Sequence, residues 1–165
     1  MNYWLIVAAK DKVDKKVSAR EKWERRKQDC FWGIPDRARN VSKITHNDKA
    51  IIYIGGTKKF VGPIRVLSSV HFLTDEEQQS LWKKSLAFAP LRGFFFNFDQ
   101  ARLGECKVDP ILKHLPTIKK NWPQSIRASM VAITAKEYKT ILDAMAEKPT
   151  TNSEHKAPIT EKRVR

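Results

Sequence analysis

The chain has 165 residues, 41% of them hydrophobic, which is enough for one folded domain with a substantial core. Its 32 lysines and arginines outnumber 18 acidic residues, so the formal net charge of +14 favours polyanionic partners, nucleic acid before an anionic membrane. No apolar run approaches the roughly 20 residues of a membrane span, and Cys30 and Cys106 lie in no zinc or dithiol motif. We therefore expect a reduced, cytoplasmic protein that needs no cofactor and does not bind membranes.

The first part of the chain predicts a strand, a helix and a loop. Tyr3–Ala9 is aromatic and β-branched, as in a buried strand. A charged segment follows, and within it a helix is predicted around Ala19–Gln28. Gly33 and Pro35 then predict a loop over Phe31–Asn40, because both residues break regular structure.

The clearest hairpin of the chain comes next. Ala50–Ile54 and Phe60–Ser68 are predicted strands, and Gly55-Gly56-Thr57-Lys58 turns the chain between them. This glycine-rich turn lacks the Walker pattern of a phosphate-binding loop. Because side chains alternate along a strand, we expect Val61 and Ile64 on opposite faces.

The second part of the chain predicts short strands between helices. Thr74 and Thr134 each precede a glutamate by three residues, the pattern of a capping box that opens a helix. Strands are predicted at 94–98 and 129–133, with a strand remnant and a short helix between 103 and 118. These elements indicate an α+β fold, a small β-barrel flanked by short helices. We expect the domain to cover 1–146 and to be followed by a basic, disordered tail at 147–165.

Between Trp23 and Val66 the sequence resembles the EVE domain family. The shared features are the helical Trp23, the loop Trp32-Gly33-Ile34-Pro35, the turn before a strand that ends in Tyr53, and the return strand with Phe60-Val61-Gly62. Asn47 stands where the family has a turn glycine, and because Asn tolerates a positive φ we expect the turn to survive. The likeness extends over roughly residues 1–146.

This resemblance implies a fold and a class of function. EVE domains belong to the PUA-like superfamily of pseudo-barrels, which also contains the YTH domains. It implies a non-catalytic reader of nucleic acid that holds a modified base in an aromatic pocket. Methyl- or hydroxymethylcytosine in DNA is the favoured ligand, and RNA is the other.

The resemblance also implies which residues hold the base. Trp32 corresponds to the cage tryptophan of YTH domains, and Gly33 would let the backbone approach the ligand. Trp82 is expected to form the second wall, with Phe95 as its competitor, and Tyr53 would bring its hydroxyl to the edge of the pocket. Each aromatic residue could instead be a packing residue of the core.

Three basic residues are candidates for contacts with the nucleic-acid backbone. Lys10 follows the first strand, Arg92 is predicted in an irregular loop beside Gly93, and Arg127 precedes the closing strand. The alternative for each is an exposed, solvated charge.

The sequence contains no recognisable catalytic or metal-binding constellation. None of the four histidines is placed beside a serine or cysteine by a spacing typical of a nucleophile and its base. Two other functions stay open, a PUA-like RNA-binding module and a small enzyme acting on a base or nucleotide. A reader without its own catalytic domain would act through an effector protein in trans.

Overall fold

The computed structural model describes residues 1–10, 16–35, 38–81, 92–98, 102–120, 122 and 130–147. Within them, the strands are β1 (Tyr3–Ala8), β2 (Phe31–Gly33), β3 (Lys49–Ile54), β4 (Lys59–Val66), β5 (His71–Phe72), β6 (Arg92–Phe98), β7 (Gly104–Lys107) and β8 (Met130–Ile133). The α-helices are α1 (Ala19–Asp29), α2 (Asp75–Leu81), α3 (Pro116–Lys120) and α4 (Ala135–Ala146). Short 3-10 turns cover Val41–Lys43 and Leu112–His114.

The strands form one eight-stranded, curled sheet with the order β2-β6-β4-β3-β1-β8. β5 adds to β6 and β7 adds to β4 outside this path. β1 and β3 are parallel, and the other pairs are antiparallel. This half-barrel with a few short helices confirms the predicted α+β, PUA-like architecture. None of the described helices is long and apolar enough to cross a bilayer.

The hairpin of β3 and β4 is confirmed, but the predicted separation of Val61 and Ile64 onto opposite faces is wrong. Ala50 pairs with Ile64, whereas Ile52 pairs with Val61, so β4 contains one extra residue between the two pairs. Such a bulge shifts the alternation of side chains by one position. Gly62 accommodates it with a φ of +128°, and Val61 and Ile64 are buried together.

The core consists of two clusters on the two sides of the sheet. The inner cluster packs beneath α1 and is rich in large aromatic rings, with Trp4, Trp23, Trp32, Phe94 and Phe96 among its members. The outer cluster lies beneath α3 and α4 and includes Leu5, Tyr53, Val108, Leu115, Ile118 and Ile141. Alternate residues of β1 and β3 belong to different clusters, as the pleat of a strand requires.

The predicted helix starts and the asparagine turn are confirmed. Glu77 bonds the backbone of Thr74 at the start of α2, and Glu137 bonds that of Thr134 at the start of α4. Ser18 forms a further capping box with Glu21 at the start of α1. Asn47 adopts a φ of +70°, the conformation expected of an asparagine in the place of a glycine.

Two local predictions around the site are wrong. Phe31–Gly33 is not loop but strand β2, and Arg92 lies in β6 and not in an irregular loop. Both errors have one cause, the pairing of β2 with β6 across about 60 residues of sequence. Gly93 permits this pairing, because a methyl group there would overlap the Trp32 carbonyl oxygen and the Phe31 ring.

Candidate functional site

A cleft of about 480 Å³ opens between the segment 38–45 and strands β5 and β6. This volume lies within the range of small-ligand sites in proteins. The cleft is lined by Ala38, Asn40, Val41, Ser42, Ile44, Thr45, Ser69, Val70, His71, Phe72 and Arg92. No acidic residue is among these described lining residues, so the cleft favours an anionic or neutral ligand.

The cleft has an apolar floor and a polar rim. Ala38, Val41 and Val70 pack against the inner cluster and form the floor. Asn40 and Ser42 add an amide and a hydroxyl to the rim. A flat, partly apolar ring with polar edges, such as a nucleobase, matches this distribution.

Phe72 and Arg92 lie together at the mouth of the cleft. They are paired in register on β5 and β6, and the Phe72 side chain is 71% exposed. The Arg92 guanidinium donates through Nη2 to the Pro35 carbonyl oxygen at 3.0 Å, which orients it beside the cleft. An exposed ring next to a positioned guanidinium is suited to stack on a base and to contact a phosphate.

The His71 ring contacts an aromatic ring and a carboxylate. Its ring stacks on Phe95 with centroids 5.7 Å apart. Its Nε2 lies 3.4 Å from the Glu77 Oε1 atom, and its Nδ1 lies 3.1 Å from the Ser69 carbonyl oxygen. Hydrogen bonds with the Thr74 backbone and then with His71 hold the pKa of Glu77 below its usual value.

A buried carboxylate anchors the wall of the cleft opposite β5. Asp48 is fully buried and accepts hydrogen bonds from Trp4 Nε1 at 2.9 Å, from the Asn2 amide at 2.7 Å and from the Thr45 amide at 3.0 Å. Burial by itself raises the pKa of Asp48, but the bonds from Trp4, Asn2 and Thr45 outweigh it and hold the pKa below its ordinary value. Because Thr45 lines the cleft, this ionised carboxylate fixes the wall in place.

The comparisons with known proteins agree with this architecture. The EVE domain model matches residues 2–144. The chain belongs to the EVE domain family. No curated protein matches it significantly in sequence.

Solved structures of other proteins share the fold of this EVE domain. Human THYN1, crystallised in complex with 5-methylcytosine-containing DNA, is 18% identical with a TM-score of 0.58 over 90% of this chain and 100% of that chain. Rpa0253 from Rhodopseudomonas palustris is 13% identical with a TM-score of 0.55 over 94% and 100%. The DUF55 domain of human thymocyte nuclear protein 1 is 16% identical with a TM-score of 0.54 over 88% and 99%. At sequence identities of 13–18%, the similarity to these structures shows a shared fold and no more.

The EVE domain brings four of the predicted site residues together on β2 and β6. Gly33 pairs with Gly93, next to Arg92, and Phe95 supports His71. Trp32 lies between them and is only 6% exposed, with its ring centroid 6.5 Å from that of Trp23. Its ring therefore belongs to the inner cluster beneath the cleft, and its role as a wall around a base stays a prediction.

Other predicted residues lie away from the cleft or outside the described residues. Tyr53 is in the outer cluster, 3% exposed, where burial and then the charge of Asp109 raise the pKa of its hydroxyl. Lys10 is exposed beyond the end of β1, at the opposite end from the Asp48 contacts. Trp82 and Arg127 lie outside the described residues, as does most of the predicted tail.

Sequence reasoning missed Phe72 and His71, which the structure places at the cleft. No sequence signal distinguished Phe72 from a core residue, because it stands next to another apolar residue, Leu73, which is buried in the structure whereas Phe72 is exposed. It also missed Asn40, whose left-handed backbone turns its segment toward the cleft. In the part of the chain that the structure describes, no three His, Cys, Asp or Glu side chains are grouped so as to hold a metal ion.

Proposed function

We propose that this EVE domain is a non-catalytic nucleic-acid-binding module whose cleft receives an unstacked base. The observation that carries the proposal is the exposed Phe72 ring beside Arg92, at the mouth of a cleft whose described lining contains no acidic residue. Stacking of a base on such a ring contributes about 1–3 kcal/mol. The formal net charge of +14 supplies the general attraction to phosphates.

Modified cytosine in DNA is the ligand that we favour. A protein of the same fold, human THYN1, was crystallised with 5-methylcytosine-containing DNA. The apolar floor formed by Ala38, Val41 and Val70 suits a methyl group, and Asn40 on the rim offers an amide to the base edge. A base bound in this way must leave its stack, at a cost of a few kcal/mol that stacking on Phe72 would offset.

The other site residues take supporting roles in this proposal. Trp32 and Phe95 support the residues that line the cleft. Trp32 packs in the inner cluster beneath the cleft, and Phe95 stacks on His71. Direct stacking on Trp32 would first require a packed neighbour to move, so Phe72 is the better platform. Trp82 stays a proposed second wall. Lys10 and Arg127 stay proposed phosphate contacts outside the cleft.

The test is a binding panel with a matched pair of variants. Oligonucleotides of one sequence, with cytosine or 5-methylcytosine, are titrated with wild type, Phe72→Ala and Leu67→Ala. Both substitutions remove an exposed apolar side chain, but Leu67 does not line the cleft. We expect Phe72→Ala to weaken binding by about 5–150-fold, the equivalent of the stacking energy, and Leu67→Ala to leave it within about twofold.

Each alternative function has its own result in the same panel. A folded Phe72→Ala variant that binds like wild type would show that the cleft does not hold the base. Equal affinity for plain and modified DNA, with preference for folded RNA, would identify an RNA-binding module. A change in the mass of the oligonucleotide with time would identify an enzyme. Without such a change, any effect on the marked site would come from a partner protein.

A further inference from the structure

Four exposed lysines lie in the turn between β3 and β4 and in the segment 108–120, which covers the outer cluster on the side of the sheet away from the cleft. We call them the basic ridge: Lys58, Lys113, Lys119 and Lys120. We propose that the basic ridge is a second nucleic-acid contact, which binds backbone phosphates without reading sequence or modification. The inference rests on the proposed function of the cleft, whose ligand it would hold over a longer stretch.

The fold gathers these lysines from separate segments. The amide of Val108 donates to the Lys58 carbonyl oxygen at 3.0 Å, which joins the β3–β4 turn to the end of β7. The chain then turns at once, since Leu112 donates to the Val108 carbonyl and Lys119 to that of Leu115. Val108, Leu115 and Ile118 are fully buried in the outer cluster, so the lysines between them are held at the surface.

The charge of the basic ridge is not compensated within the described part of the chain. None of the four lysines makes an ion pair with a described residue, whereas Arg20 and Lys59 both pair with Glu105. Asp109 is the one acidic residue within 107–120, and Glu137, which packs against α3, is buried.

A nucleic-acid backbone fits the ridge better than a lipid surface does. Proteins that lie on membranes usually combine basic residues with apolar side chains that enter the bilayer. The large, exposed hydrophobic side chains of the described residues are Met1, Leu67, Phe72 and Leu103, and none belongs to the ridge. A row of lysines alone matches a polyanion that is read only through its phosphates.

The test separates the ridge from the cleft by the length of the ligand. A domain of this size is roughly 40 Å across, and a 30-base-pair duplex spans about 100 Å. A four-nucleotide strand with one 5-methylcytosine is too short to occupy both sides. The ridge variant carries Lys113→Ala, Lys119→Ala and Lys120→Ala. The control carries Lys27→Ala, Lys136→Ala and Lys139→Ala, so both variants have a formal charge of 14 − 3 = +11.

We expect the ridge variant to bind the long duplex about tenfold or more weakly at 50 mM salt, with a salt slope reduced by about 2–3. The control should change affinity by less than about threefold, and the four-nucleotide strand should bind all three proteins alike. Equal losses in ridge and control variants would overturn the proposal, as would loss of binding to phosphatidylserine vesicles with unchanged duplex binding. Failure of the short strand to bind wild type would contradict the proposed cleft function and leave the duplex result to judge the ridge.

Discussion

The two core clusters lie on the two sides of the same sheet but meet the solvent differently. The outer cluster is closed by α3 and α4, which cover it with Ile118, Tyr138 and Ile141. The inner cluster is covered by α1 over one part and ends in the cleft beneath the segment 38–45. The cleft, which is the candidate site, therefore lies where short strands, and not an α-helix, complete the packing of the sheet.

Among the described residues, each cluster is bordered by one buried carboxylate, and the two carboxylates join different segments. Glu137 caps α4 and accepts from the Thr117 amide at 2.7 Å, so it joins two helices. Asp48 joins β1 to the segment that forms the cleft wall. Loss of the Asp48 carboxylate should therefore weaken binding in the cleft, whereas loss of the Glu137 carboxylate should lower only the free energy of unfolding.

The largest expected effect is the loss of the Trp32 side chain from the inner cluster. Trp32→Ala should lower the free energy of unfolding by about 3–5 kcal/mol, because it removes a large, buried ring and leaves a cavity. Urea unfolding of the variant measures this loss. Trp32→Phe is the control, and it should retain more stability and measurable oligonucleotide binding. A Trp32→Ala protein as stable as wild type would contradict the packing of the inner cluster.

Next in size is the exchange of the buried carboxylates for amides. Asp48→Asn and Glu137→Gln should each cost about 1.5–3 kcal/mol, since each loses bonds to a charged acceptor and turns an amide donor toward other donors. Unfolding in urea gives both values. Oligonucleotide binding, measured where both variants are folded, should weaken only in Asp48→Asn. Equal weakening in Glu137→Gln would show that the two sides are not independent.

The stability of the wild-type protein should depend on pH through the same two carboxylates. The folded protein holds the pKa of Asp48 and of Glu137 below their usual values, although burial raises both. Their unfolded pKa values are about 3.9 and 4.3, so their stabilising contribution is complete above about pH 5 and is lost as the pH falls through the lower folded values. Urea midpoints between pH 3 and 7 should fall less steeply for Asp48→Asn. An unchanged pH profile would contradict this assignment.

The smallest effect is expected from the helix caps on the two sides. Thr134→Ala on α4 and Ser18→Ala on α1 should each cost about 1 kcal/mol, because each removes the acceptor for a backbone amide at the helix start. Thermal or urea unfolding measures both, with Thr140→Ala as a control, since this half-buried threonine donates within α4 and caps no helix. Neither cap should alter binding in the cleft, and a binding defect in Ser18→Ala would indicate that α1 shapes the site.

Several elements of the fold could be predicted from short stretches of sequence. The capping boxes at Thr74 and Thr134, the β3–β4 hairpin and the turn at Asn47 depend on contacts within a few residues. The resemblance to the EVE domain family also predicted the barrel, because the family motifs and the distances between them cover several strands and helices. The bulge in β4 could not be predicted, since alternation along one strand does not show the register of its neighbour.

The candidate site was predicted only in part. Trp32, Gly33, Arg92 and Phe95 do lie near one another, but the pattern around Gly33 and Pro35 concealed the pairing of β2 with β6. Phe72 resembles any core phenylalanine in the sequence. Its exposure follows from the two-residue strand β5, which ends the sheet beside Arg92.

The sequence by itself determined the positive charge, the family and the local structure of most elements, because these depend on composition and on neighbours along the chain. Only the tertiary structure decided that Trp32 is buried, that Phe72 faces the solvent and that lysines of separate segments lie over the outer cluster. The physical reason is that burial and charge compensation depend on which distant segments pair, and this choice is made by the whole fold.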